Sequence, residues 1–570
     1  MSPGLAPHHL SVAACVSGFP LLAVVPIGAC SNPGPGPPTL SPLALEGSTD
    51  LEDVPGTPQV GQQASLGTGT RSSSPRPSSR PLSPRPINAP TSTPIPRPTA
   101  THTPPPPPLP QSCLRQQVAD DVQLCRTVPS YDITPSVDPS SARVTGSQTI
   151  TYPSSEKEAL DSIVLRLLPN APGYGGSMTV THLLLSEQSV VTRLEHEGTT
   201  LHGPLDPPLQ AHRSAKLSMD FTVGVPTSRI TGHGLFSYVR GVMALPTVYP
   251  LVPVYDESGW NTEIAPVHDD DVFSDVAVYS VNVTAPSGFT LVATGSCATP
   301  QEATWTCEAA PMPDFTAILS ENCERAGRDV DGVVVSSYFY PWHAPGGGRA
   351  LEVTADALRA FGGYFGPYPY AELDVVETPN YLGGMEYSGL LVGEDGLYPG
   401  SSTVEWLTAS EVAHPWWMVV VGNHQINEPW LDEALTQYST MLFYEAVYGN
   451  QRANGILNAV FVQTHEALKS ARRDMPAGLL ADACPPHLTF DTVYEKGALY
   501  FHELRERVGN DVSLRCSEPP MNGIAIRSQR QSPSSLQSRT SPAVAIWVST
   551  MSGLVPSSSP DPQVWPRRLI

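Results

Sequence analysis

The sequence predicts an α+β chain: an N-terminal antiparallel β-sandwich, then a mainly helical domain with a small sheet, between two irregular ends. Three observations carry this. From about residue 113 to 320, short segments of alternating apolar and polar residues are separated by Gly, Pro and Asn. After Leu351 the apolar spacing becomes helical. Residues 1–112 and 511–570 show neither period. Setting those ends aside leaves ~400 residues, enough for two well-buried cores.

In chain order, residues 1–30 read as a leader. Leu10–Ala29 is an apolar run broken by Pro20 and Pro26, which suits a signal peptide better than a permanent membrane span. Ile27-Gly28-Ala29-Cys30 resembles a bacterial lipobox, in which Cys30 would be lipidated; the alternative is an apolar leader without a lipid. Either reading sends the chain out of the cytoplasm. Residues 31–112 form a Pro/Ser/Thr tract that cannot bury a core and favours polyproline II, a disordered stalk of up to ~250 Å at ~3.1 Å per residue.

Within 113–320, Leu217, Met219, Phe221 and Val223 alternate as one face of a half-buried strand should, and Ile163–Leu168, Val276–Val283 and Phe289–Thr294 read similarly. Many short strands with turn signals suggest a sandwich. The run His268-Asp269-Asp270-Asp271 lacks EF-hand spacing and reads as a solvated loop. The helical part spans 321–510, with Phe365–Tyr370 as a loop in which Pro367 and Pro369 stop the preceding helix. Beyond about 511 the periods fail, as in out-of-frame or otherwise non-native sequence.

The net charge of −22 excludes nucleic acid as an expected partner, since phosphate binding needs a basic face. Of the nine cysteines, Cys113–Cys125 and Cys297–Cys307 are the nearest candidate disulfides in an exported chain. No C-x-x-C spacing suggests a structural zinc site.

The chemistry concentrates in Thr408–Tyr438. Residues four apart share a helix face, so H-E-x-x-H lets two imidazoles grip one metal, with the Glu placed to take a proton from water there. Here Ser410, Glu411 and His414 occupy those places, and Glu433 follows eighteen residues after His414 on a second predicted helix. Gly383-Gly384-Met385-Glu386-Tyr387 precedes this stretch, and Tyr494-Glu495-Lys496-Gly497 follows it.

These ordered motifs resemble the membrane alanyl aminopeptidase family, zinc enzymes of the gluzincin type. The resemblance covers roughly 240–510 and implies a thermolysin-like catalytic domain behind an N-terminal sandwich, acting on peptide or protein substrates. It also implies Zn2+ as cofactor, with His414 and Glu433 as ligands and Glu411 as general base. By the same resemblance Glu386 takes the substrate's free α-amino group, Gly383 and Gly384 let the peptide backbone approach, and Tyr494 stabilises the oxyanion.

Three departures from the family pattern stand out. Ser410 replaces the first zinc-binding His, and catalytic zinc normally takes three protein ligands. Pro415 removes a helical hydrogen bond to the Glu411 carbonyl, a distortion expected to fall on the base. Tyr387 stands where the family usually has Asn. His424 lies ten residues past His414, beyond the expected helix end, and is a poor substitute ligand. The expected function is therefore a zinc aminopeptidase outside the cytoplasm; the alternative is an inactive relative that binds peptides at the cell surface.

Overall fold

The computed structural model describes residues 128–509 apart from 155–158, 230, 257, 265–272 and 480–482. The leader, the Pro/Ser/Thr tract, the Cys113–Cys125 pairing, the Asp269–Asp271 run and the tail beyond 509 lie outside the described residues.

The strand-rich half builds an eight-stranded sheet with Ala277–Thr284, Ser130–Asp138, Arg143–Pro153 and Ser214–Gly224 adjacent at its centre. Leu217, Met219, Phe221 and Val223 all point inward from Ser214–Gly224, as their alternation predicts. A four-stranded sheet and a three-stranded sheet accompany it. One feature departs from an all-antiparallel sandwich: Ser130–Asp138 pairs in parallel with Ala277–Thr284. Parallel neighbours need a long crossover, and alternation within single strands carries no information about partner direction. Cys297 and Cys307 face each other across neighbouring strands and form the disulfide read from their spacing.

The second half begins with a five-stranded sheet, in the order Glu324–Val330, Val333–Phe339, Glu372–Thr378, Leu390–Glu394, Gly384–Tyr387. The central strands run parallel, and Gly384–Tyr387 is an antiparallel edge strand. An apolar cluster joins this sheet to the four-stranded sheet, with Met385, Tyr387 and Val392 meeting Val242, Val292 and Ile318. Asp314, from the strand-rich half, accepts the Ser388 N–H at 3.2 Å and anchors the turn after the edge strand.

Two helices pack on the sheet, α1 (Ala344–Phe365) and α2 (Ser401–His414), and α3 (Pro429–Tyr448) packs on both of them. α1 stops where Gly366 takes φ +98°, just before the two prolines expected to end it. It starts earlier than Leu351, since Gly346-Gly347-Gly348, which carries no apolar spacing, folds as helix. The glycines there serve packing: a Cβ on Gly347 would lie 1.9 Å from Phe339 Cδ1, and one on Gly346 would lie 2.2 Å from the Tyr398 carbonyl oxygen. A Cβ on Gly362, in the same helix, meets nothing within 4 Å. Gly362→Ala is therefore expected to stabilise the fold by up to ~1 kcal/mol through helix propensity. Gly347→Ala loses that gain to overpacking and destabilises by ~1–3 kcal/mol. Urea melts of the two variants check the opposite signs; equal shifts would refute the packing account.

Candidate metal centre

α2 packs between α1, α3 and the edge strand Gly384–Tyr387. From Leu407 to His414 every residue is buried, so this stretch carries no amphipathic stripe. Ser410, Glu411 and His414 are thus polar groups inside a core, where burial is costly unless they are paired or bind a metal. The helix remains regular to His414, and Pro415–Val421 follows as a π-helical segment ended by Gly422 at φ +73°. This corrects one expectation. The proline's distortion is taken up by the widened turn after His414, rather than at Glu411.

His414 is the hub. Its Nδ1 lies 3.0 Å from Asp432 Oδ1 and 3.1 Å from Glu386 Oε1, and its Nε2 lies 3.7 Å from Glu433 Oε2. Glu386, from the edge strand, and Asp432 and Glu433, from the first turns of α3, are all buried. Burial disfavours an imidazolium, yet Glu386, Asp432 and Glu433 outweigh it and hold His414 protonated well above its ordinary range. Burial likewise raises the Glu411 carboxyl to about 7; His414 pulls it down and Asp432 adds to the rise.

Glu411, on α2, lies against the edge strand. A Cβ on Gly384 would fall 2.1 Å from its Oε1, so only glycine leaves room for this carboxylate. Gly383 has φ +95° and accepts the Glu394 N–H through its carbonyl at 2.6 Å, which fixes the entry to the strand. Glu411 Oε2 is buried without a hydrogen-bond partner among the described residues. Ligand atoms of Glu386, Glu411 and His414 lie within 4.8 Å of one another. Four buried carboxylates face one imidazole here, so the charge and the donor set both fit a divalent cation.

Ser410 cannot complete that set. It is buried, and its Oγ accepts the Gln437 Nε2–H at 3.1 Å. Tyr494 lies in the π-helical segment Phe490–Lys496, stacks on Phe490 and packs in an apolar cluster with Trp430, which stands at the start of α3. His424 is engaged elsewhere: it stacks on Phe273 at 4.1 Å and its Nε2 lies 3.2 Å from Asn261 Nδ2. Sequence reasoning missed Asp432 and Gln437. Their signals were adjacency to Glu433 and a spacing of four residues from it on one helix face.

A strand-rich domain on a mixed sheet, with a Glu and a His from one buried helix meeting a Glu from the next, fits the thermolysin-like fold that the sequence predicts. Comparison narrows the class. Residues 349–515 match the Peptidase family M1 domain. Endoplasmic reticulum aminopeptidase 2 from Homo sapiens is 30% identical over 202 residues, which cover 33% of this chain and 21% of that protein. Aminopeptidase N from Homo sapiens is 30% identical over 182 residues, covering 29% of this chain and 19% of its own length. The chain thus spans about a fifth of the length of these curated relatives. The crystal structure of the M1 zinc metallopeptidase from Deinococcus radiodurans shares the fold, with a TM-score of 0.52 at 20% identity, over 74% of this chain and 92% of that one. The likeness to the Peptidase family M1 domain is thus carried by residues 349–515, and the likeness in fold extends over most of the described chain.

Proposed function

We propose that this chain is a zinc-dependent aminopeptidase domain that takes peptides by their free N-terminus. The observation that carries the reading is the buried meeting of Glu386, from the edge strand, with Glu411 and His414 from α2, and with Glu433 beside His414. His414 and Glu433 are the residues that would hold zinc. When bound, zinc supplies a Lewis acid that polarises the scissile carbonyl and activates water near neutral pH.

The chain's own residues do the rest. The Glu386 carboxylate pairs with the substrate's α-ammonium and so sets the distance from the N-terminus to the scissile bond. The edge strand, last in its sheet, is where an extended peptide would lie alongside, and Gly383 and Gly384 keep that approach open. Glu411, raised to about 7, accepts a proton from water and passes it to the leaving amine; a base near the working pH is best matched to that task. The Tyr494 hydroxyl steadies the oxyanion.

A specific observation favours a second reading. Ser410 Oγ is tied to Gln437 where the first zinc imidazole belongs, which suits a peptide-binding module with little turnover. We also assign the protein to the outside of the cytoplasm, with Cys30 as a lipid anchor; the leader and the Cys297–Cys307 bridge support this.

One experiment on the full chain tests these statements: fractionate the expressing cells, then assay the zinc-loaded protein on an aminoacyl anilide and its N-acetylated form. Recovery in the membrane fraction and cleavage of the free-amine substrate only are expected. Binding of a free-amine peptide without cleavage would establish the second reading. Indifference to acetylation would remove the role of Glu386.

A further inference from the structure

The three ligand-bearing residues that converge in this chain are not the pair of histidines and glutamate of the gluzincin pattern. They are Glu386, Glu411 and His414, drawn from the edge strand and α2. At metal–ligand distances of ~2.0–2.2 Å, ligands around one ion lie up to ~4.4 Å apart, so a spread within 4.8 Å closes by a small side-chain rotation. The two supporting elements pack against each other, and Glu411 lies close against Gly384. Its Oε2 is buried without a hydrogen-bond partner among the described residues, and its carboxylate belongs to this cluster. A buried carboxylate oxygen in that state calls for a cation.

We propose that with serine at 410 the divalent cation sits displaced toward the edge strand, ligated by His414, Glu411 and Glu386. The proposal rests on the metallopeptidase reading only in expecting a metal at His414. Its consequence is self-occlusion. While the ion is held by Glu411 and Glu386 it withholds the general base and the carboxylate for the substrate's amine, so the native chain turns over slowly, only when that ligation opens. A set of one imidazole and two carboxylates is also harder than a set with two imidazoles. It narrows the gap between manganese and zinc affinities, since carboxylates suit Mn2+ and imidazole suits Zn2+.

The test is equilibrium dialysis of the full chain against Zn2+ and, separately, Mn2+, with metal analysis and the electron paramagnetic resonance of bound Mn2+ as readouts. Glu411→Gln, Glu386→Gln and Glu433→Gln are near-isosteric, and a circular-dichroism melt confirms that each folds. The displaced site predicts at least ~10-fold weaker binding for Glu411→Gln and Glu386→Gln, and a smaller loss for Glu433→Gln. In a Ser410→His background, Glu411→Gln should no longer weaken the metal. If Glu433→Gln is instead the damaging variant while Glu411→Gln and Glu386→Gln keep full affinity, the displaced site is overturned and the peptidase reading stands. If the native chain binds neither metal, the displaced site is also overturned. The Ser410→His protein then decides the peptidase reading: metal there preserves it, and none there ends it.

Discussion

Ser410→His is expected to bring the protein to one zinc per chain and raise aminopeptidase turnover at least ~100-fold. Loss of partners that merely orient ligands costs ~10–100-fold, so regaining a ligand should exceed that range. The backbone is ready for it. Ser410 lies four residues before His414 in regular helix, so an imidazole there emerges on the same face. Its surroundings are ready too: Gln437 now donates to Ser410 Oγ, and its buried Oε1 has no hydrogen-bond partner among the described residues. That oxygen can accept the N–H of the introduced ring and fix its tautomer, as metal-binding histidines require. The same substitution frees Glu411 to act as base. Metal analysis and steady-state hydrolysis measure both gains. A folded Ser410→His protein with no more zinc or turnover than the native chain would mean that position 410 is not what limits this site.

Gly384→Ala should undo that gain. The added methyl would lie 2.1 Å from Glu411 Oε1 and 2.3 Å from its Cδ. The strand is held by its pairing with Leu390–Glu394, so the carboxylate is what moves. It moves within a packed core, at a cost of ~1–3 kcal/mol in stability. A misplacement of about 1 Å in a reacting group costs ~100-fold in rate, so Gly384→Ala in the Ser410→His background should lose most of the recovered kcat. KM should change less, because Glu386 points from a different residue of the strand. Full retention of kcat would show that Glu411 is not the working base.

Much of this was legible in the chain because local rules and tertiary demands agree. Alternation placed Ser214–Gly224 and its buried face. Pro367 and Pro369 marked the end of α1. The ordered motifs picked out Glu386, Glu411, His414 and Glu433, and the fold brings all four to one place. Other features were illegible for physical reasons. Three consecutive glycines carry no apolar spacing, and Phe339 and the Tyr398 carbonyl claim the space beside them only once the chain is folded. A proline after His414 looks ruinous to the helix until a π-turn absorbs it. The parallel pairing of Ser130–Asp138 with Ala277–Thr284 leaves no mark in either segment.

The sequence by itself determined the family resemblance, the order of the two halves and the absence of an imidazole at 410, because these depend on residue type and spacing. Only the tertiary structure decided what that absence means. It engages Ser410 with Gln437, sets Asp432 behind His414, and leaves Glu411 against Gly384 beside Glu386. Those contacts join residues from α2, α3 and the edge strand. Their charges act on one another through space in a buried, weakly screened interior, and no local pattern in the chain encodes that sum.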